Sequence, residues 1–230
     1  MKNTLSVKSR IFLIVSVVLL SLSFFFPLWN IHLQAPQYPE GLAMQMWLNK
    51  ITGEVDIING LNHYIGMKKI NAAMFPEFSY MVYIIGLLMV LGIATVLVNR
   101  KYLLLTFCVL FIAIGVAGAV DFYRWEYDYG HNLDPHAAIK VPGMSYQPPL
   151  LGSKKLLNFT ADSYPATGGI AIIISGLLTL TILILELLRK EGKMAMKSNG
   201  KADKTLPLPT SASPLHKPQY SAPRSSIKTG

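Results

Sequence analysis

Four uncharged apolar runs, each about as long as a bilayer is thick, dominate this chain of 230 residues. They are residues 11–29, 79–98, 102–120 and 168–185, and none of them contains a Lys, Arg, His, Asp or Glu. A helix that crosses the hydrocarbon core needs ~17–25 apolar residues, whereas a buried helix of a soluble domain usually keeps a polar stripe. The runs therefore predict four transmembrane helices and an integral membrane protein.

The basic residues that give the chain its net charge of +9 are concentrated in its short segments and its tail. Arg100 and Lys101 form the turn between the second and third runs, and nine Lys or Arg follow from Arg189 onward. The long loops, residues 30–78 and 121–167, each hold one more acidic than basic residue. Basic segments stay on the cytoplasmic side of bacterial membranes. We therefore expect a multi-pass protein of the bacterial inner membrane, with both termini inside and both long loops outside.

The excess of basic residues is therefore expected to set the topology and to contact anionic membrane lipids. The chain has no folded basic module of the kind that binds nucleic acid. The first run has a basic start like a signal peptide, but it is long for a signal core. No small-x-small cleavage site follows it, because the chain continues directly into Phe25-Phe26-Pro27. We therefore interpret it as a retained membrane span.

These observations predict an all-α polytopic membrane protein with four transmembrane helices and two long extracytoplasmic loops. Residues 1–190 form the predicted transmembrane domain, and within its loops residues 41–50 and 60–74 are expected to form short helices on the membrane surface. Residues 191–230 are rich in Lys, Ser and Pro and have little to bury, which predicts a disordered basic cytoplasmic tail.

The predicted spans contain no histidine that could ligate haem and no ionisable group that could carry protons or ions. The chain also lacks a Cys-x-x-Cys-His haem attachment motif. These features disfavour a redox subunit that takes electrons from quinol, and they disfavour a pump. An accessory protein without enzymatic activity fits the composition better.

The histidines and methionines of the loops suggest a second kind of function. Imidazole and thioether ligands together suit copper, and the thioether selects Cu(I). His63 and Met67 have the i, i+4 spacing that a helix would place on one face, and His32 is the third candidate ligand. The alternative is structural: the loop methionines Met44 and Met46 would be apolar packing for an interfacial helix, and His63 would be a hydrogen-bonded loop anchor.

Two loop segments are distinctive as sequences: residues 35–42 (APQYPEGL) and residues 61–67 (LNHYIGM). Together with residues 141–144 (VPGM) and 146–149 (YQPP), they make the chain resemble the NosB family, the membrane proteins encoded beside the nitrous oxide reductase of clade II (c-type) systems. The resemblance covers roughly residues 10–190. It implies an accessory factor, active in denitrification, for a periplasmic copper enzyme, and it transfers no catalytic residue.

Three functions follow from this reading, in order of preference. The first is a scaffold that supports assembly, maturation or electron supply of a periplasmic metalloenzyme, namely nitrous oxide reductase. The second is a periplasm-facing copper-binding or copper-delivery protein, and the third is the quinol-side redox subunit already disfavoured. For the scaffold, the predicted docking residues are the aromatic and polar side chains Tyr38, Asn62, His63, Tyr64 and Tyr146.

Overall fold

The structure is a computed structural model that describes residues 4–140 and 142–203, with side chains described as far as Arg189. Within these residues there are five α-helices, five β-strands and two short 3₁₀ segments, at Leu22–Phe24 and Ala72–Met74. The helices are α1 (Val7–Ser21), α2 (Val55–Ile65), α3 (Glu77–Val98), α4 (Lys101–His131) and α5 (Thr167–Asp203). The strands are β1 (Trp29–Ala35), β2 (Tyr38–Met46), β3 (Ile51–Gly53), β4 (Gly152–Leu156) and β5 (Phe159–Pro165).

Four helical segments of the described chain are long and apolar enough to cross a membrane. They are α1 with its 3₁₀ extension (Val7–Phe24), α3, α4 and the Thr167–Arg189 part of α5. Each includes most of one predicted run, so the prediction of four helices with the length and apolar composition of membrane spans is confirmed.

The prediction of an all-α fold is wrong, because the two long loops fold into one five-stranded antiparallel sheet, and the fold is mixed α and β. The strand order is β3-β2-β1-β5-β4. The first loop supplies β1, β2 and β3, the second supplies β4 and β5, and the pairing of β1 with β5 joins them.

The residues predicted to form a surface helix at 41–50 lie mostly in β2 instead. Their burial alternates with a period of two: Leu42, Met44, Met46 and Leu48 are buried, and the residues between them are only half-buried. Such alternation is characteristic of a strand with one face on a core. The other predicted surface helix, 60–74, is replaced by the end of α2, an irregular segment and a 3₁₀ turn.

The sheet, α2 and residues 121–131 of α4 form a unit that we call the sheet module. A helix of 31 residues is about 46 Å long at 1.5 Å per residue, well beyond the ~30 Å of hydrocarbon. Residues 121–131 therefore continue α4 out of the membrane-spanning part. They pack against the sheet and α2 around a shared apolar core, whose most buried members include Ile31, Met44, Ile58, Ile70, Tyr129 and Tyr146.

The membrane-spanning parts have a separate core centred on Leu13, Leu20, Leu104 and Phe107. Polar side chains connect α1 with α5 inside this bundle, where the Ser16 hydroxyl lies 2.8 Å from the hydroxyls of both Ser175 and Thr179. Hydroxyl pairs of this kind hold helices together where water cannot compete.

At the end away from the sheet, three segments of the chain are joined by polar contacts. The Leu5 N–H donates to Asn99 Oδ1 at 2.9 Å, and the Ser6 N–H donates to Glu186 Oε1 at 2.8 Å. Lys101 Nζ lies 2.8 Å from Glu186 Oε2. The start of α1, the turn before α4 and residue 186 of α5 therefore lie on the same side of the bundle.

The chain divides into two compact units, Met1–Lys190 and Glu191–Gly230. In the second unit, residues 191–203 are helical. Residues 204–230, on which most of the predicted disordered tail falls, lie outside the described residues.

Candidate docking surface

One face of the sheet is directed away from α2 and α4, and we call it the open face. It carries the side chains that alternate with the core positions of the three central strands: Asn30, His32, Gln45, Asp162 and Tyr164. These side chains are half-buried or exposed. The face is therefore polar and accessible, as in an antiparallel sheet that covers its core on one side only.

An aromatic pair lies near the middle of the open face. The His32 and Tyr164 rings are stacked, with their centroids 5.6 Å apart and their planes 12° from parallel. They belong to β1 and β5, so the pair spans the junction between the two loops. Beside it, Asp162 accepts a hydrogen bond from the Ser153 hydroxyl on β4. The arrangement offers a flat ring surface bordered by hydrogen-bonding groups.

The β2–β3 side of the sheet is held by close backbone contact. Gly53 has φ +105°, and a Cβ on it would lie 2.0 Å from the carbonyl oxygen of Ala43. Glu54 follows, and its carboxylate accepts from the Ala43 N–H at 2.7 Å. Only glycine fits at position 53, and the contact keeps the short β3 in place.

The three candidate copper ligands are in three different environments. Met67 is buried in the sheet-module core, His63 is exposed on α2, and His32 is on the open face. The i, i+4 argument for His63 and Met67 does not apply, because α2 ends at Ile65 and Gly66 takes a left-handed conformation. No group of three or more His, Cys, Asp or Glu suited to a metal ion occurs within residues 4–140 and 142–189.

The second loop does approach His63 on α2. The Asp134 N–H donates to the Gly66 carbonyl at 2.8 Å, and the Ile139 N–H donates to the Tyr64 carbonyl at 2.9 Å. The N–H of His136 donates to Asp134, which lowers the pKa of that carboxyl. These contacts fasten the irregular segment after α4 to the end of α2.

The five predicted docking residues also divide between surface and core. His63 and Tyr64 are exposed, and Tyr38 is half-buried at the β1–β2 hairpin. Asn62 and Tyr146 are buried, and Asn62 donates to the Tyr129 hydroxyl inside the module. Asn62 and Tyr146 therefore support the surface from below and do not form part of it.

Glu126 is a residue that the sequence analysis did not single out. It lies on the face of α4 that also carries Phe122, Tyr129 and Gly130, it is fully buried, and neither carboxylate oxygen has a hydrogen-bond partner in the described chain. Burial raises the pKa of this carboxyl to about 7. Its spacing of four residues from Phe122 and three from Tyr129 places it on the apolar stripe of α4, a signal that becomes visible once the helix is extended past residue 120.

We expect Glu126→Gln to stabilise the protein above neutral pH. A folded-state pKa near 7, against about 4.5 when unfolded, means that the folded protein binds more protons between these values. Its free energy of unfolding therefore falls as pH rises through that window, by roughly 3 kcal/mol in total. Glutamine cannot ionise, so the variant's free energy of unfolding should match that of the wild type at pH 4 and exceed it at pH 8.

The measurement is denaturant unfolding in detergent micelles across this pH range, followed by tryptophan fluorescence. Asp128→Asn is the matched control, because Asp128 is exposed on the same helix and pairs with Lys68, which lowers its pKa. That variant should gain nothing at pH 8. A wild-type stability that does not fall between pH 5 and pH 8 would contradict the assignment.

No protein-family model matches this chain, and no curated protein sequence is similar to it.

Proposed function

We propose that this protein is a membrane-anchored accessory factor whose sheet module docks a periplasmic metalloenzyme, with nitrous oxide reductase as the partner. The observation that carries the proposal is the β1–β5 pairing. It joins residues more than 130 positions apart, such as Trp29 and Pro165, into one sheet. Two loops that would separately be mobile thereby form one rigid surface, which lowers the entropic cost of binding a partner.

The attachment of the module to the membrane supports the same function. α4 runs without a break from its membrane-spanning part into the module core, where Trp125 and Tyr129 stack at 5.0 Å. β1 follows α1 after a short connection, and β5 leads into α5 after one residue. A partner bound to the open face would therefore be held at a defined height above the bilayer.

The identity of the partner rests on the resemblance of residues 35–42 and 61–67 to the NosB family. The proposed orientation has the module in the periplasm of a bacterial inner membrane, with the start of α1 and the end of the fourth span both on the cytoplasmic side. The basic turn at Arg100 and Lys101 supports this orientation through the positive-inside rule. The scattered positions of His32, His63 and Met67 give the copper-delivery alternative no comparable support.

Site-specific photocrosslinking in cells tests the docking proposal. A photoreactive amino acid at Gln45 or at Tyr164, both on the open face, should crosslink to nitrous oxide reductase. The same amino acid at Lys8, at the opposite end of the bundle, should not. Tyr64 is exposed on α2 and not on the open face. Comparing crosslinking from Tyr64 with crosslinking from Gln45 therefore shows which side of the module contacts the partner.

We also expect His32→Ala combined with Tyr164→Ala to lower crosslinking from Gln45 several-fold while the protein still inserts normally. The two substitutions remove the stacked pair without touching the module core. Equal crosslinking from Gln45 and Lys8, or nitrous oxide reduction that is unaffected by deletion of the gene, would contradict the proposed function.

A further inference from the structure

The end of the helix bundle away from the sheet module is strongly basic. Five cationic side chains lie there, on three segments that meet through the Leu5–Asn99 and Ser6–Glu186 hydrogen bonds. We call these residues the basic end: Lys8, Arg10, Arg100, Lys101 and Arg189. Within the part of the chain whose side chains are described, the acidic residues other than Glu186 lie between Glu40 and Asp162, in the sheet module or at helix ends that join it.

Glu186 neutralises only one of the five charges. Its carboxylate is buried and lies 2.8 Å from Lys101 Nζ, with Arg189 more distant at 3.6 Å. Lys8 and Arg100 are exposed and have no ion pair within residues 4–140 and 142–189. The described part of the basic end therefore carries an excess of four positive charges over its single carboxylate.

Arg10 is the half-buried arginine of the basic end. It lies in the second turn of α1, on the same side as the exposed apolar residues Val7 and Ile14. Its Nε is buried without a hydrogen-bond partner in the described chain. A guanidinium at the edge of the hydrocarbon is costly unless it finds an anion, and its planar fork matches two oxygens of a phosphate.

We propose that the basic end binds the headgroup of an anionic phospholipid, with Arg10 on the phosphate and Lys8 and Arg100 supplying additional positive charge. A lipid fits better than a soluble anion because Arg10 is flanked by lipid-facing side chains, Val7, Ile11 and Ile14, which would contact the acyl chains. The excess charge favours a headgroup with net negative charge over a zwitterionic one. This inference does not depend on what the sheet module binds.

Native mass spectrometry of the full-length protein in detergent, titrated with phosphatidylglycerol or phosphatidylcholine, tests the proposal. The wild type should bind phosphatidylglycerol more tightly than phosphatidylcholine. Arg10→Gln and Arg100→Gln should each weaken phosphatidylglycerol binding about fivefold, the value of one cation at a membrane surface. Arg10→Lys should lose less affinity for phosphatidylglycerol, because lysine keeps the positive charge and lacks only the planar guanidinium.

Lys154→Gln is the matched control, since Lys154 is an exposed lysine of β4 at the other end, and it should bind phosphatidylglycerol as the wild type does. Arg100 is exposed, so its variant should fold even if Arg10→Gln does not, and it then decides the test alone. Wild-type affinity in both glutamine variants would overturn the proposal. Displacement of phosphatidylglycerol by an equal concentration of inorganic phosphate would also overturn it, because the site would then bind a soluble anion.

Discussion

Replacing Gly130 with alanine is expected to destabilise the sheet module by about 3 kcal/mol. A Cβ at this position would lie 2.3 Å from both the Cα and the N of Gln147. The two backbones cannot separate freely, because the neighbouring Tyr146 N–H donates to the Gly130 carbonyl at 2.9 Å. The added methyl group must therefore displace the segment that anchors the buried Tyr146 ring in the core.

Denaturant unfolding followed by tryptophan fluorescence measures this effect, since Trp125 lies in the same core. Gly60→Ala is the matched control: Gly60 is inside α2, and apart from its chain neighbours and the adjacent helix backbone a Cβ there would meet nothing within 4 Å. That substitution should stabilise the protein by about 0.5–1 kcal/mol, because alanine favours the helix. Equal effects from the two substitutions would contradict the described contact between α4 and the second loop.

Replacing Glu186 with alanine is expected to cost about 3–5 kcal/mol, the usual effect of removing one partner of a buried ion pair. Glu186 accepts hydrogen bonds from the Ser6 N–H at 2.8 Å and the Ser9 hydroxyl at 2.7 Å, and it pairs with Lys101. Alanine would leave these donors without an acceptor where little water can reach them. The start of α1 would then detach from α5.

Thermal unfolding in detergent and proteolysis of the N-terminal residues measure the change. Glu40→Ala is the control, because Glu40 is exposed at the β1–β2 hairpin and should change stability by less than about 0.5 kcal/mol. The stability of Glu186→Gln should lie between those of Glu186→Ala and Glu40→Ala, since glutamine can still accept the hydrogen bonds but lacks the charge. A Glu186→Ala variant as stable as Glu40→Ala would show that the contacts at this end are dispensable.

The membrane-spanning architecture could be predicted from the sequence because it depends on local composition. A bilayer leaves a backbone no partner but itself, so each uncharged run has one structural solution, a helix. Charged residues begin at position 121, so the apolar run ends at residue 120 and does not indicate that α4 continues to His131. Glu126 and Asp128 are tolerated there because the sheet module and the surrounding water replace the lipid.

The sheet escaped prediction because its central pairing is not local. β1 and β5 are separated by three α-helices and three strands along the chain, and no feature of either segment alone indicates its partner. Residues 41–50 hold enough Leu, Met and Trp to suggest an apolar helix face, although their alternation fits a strand better. Burial against α2 and α4 decides that residues 41–50 follow the strand period of two and not the helical period of 3.6.

The sequence by itself determined the number of spans, because each apolar run has a single stable form in lipid and needs no distant residue. Tertiary structure alone decided which loop residues reach a common surface. It placed His32 beside Tyr164, buried Asn62 and Tyr146, and separated His63 from Met67 at the αL turn of Gly66. A side chain's exposure depends on what packs against it, and in the sheet module those contacts come from segments far apart in the chain.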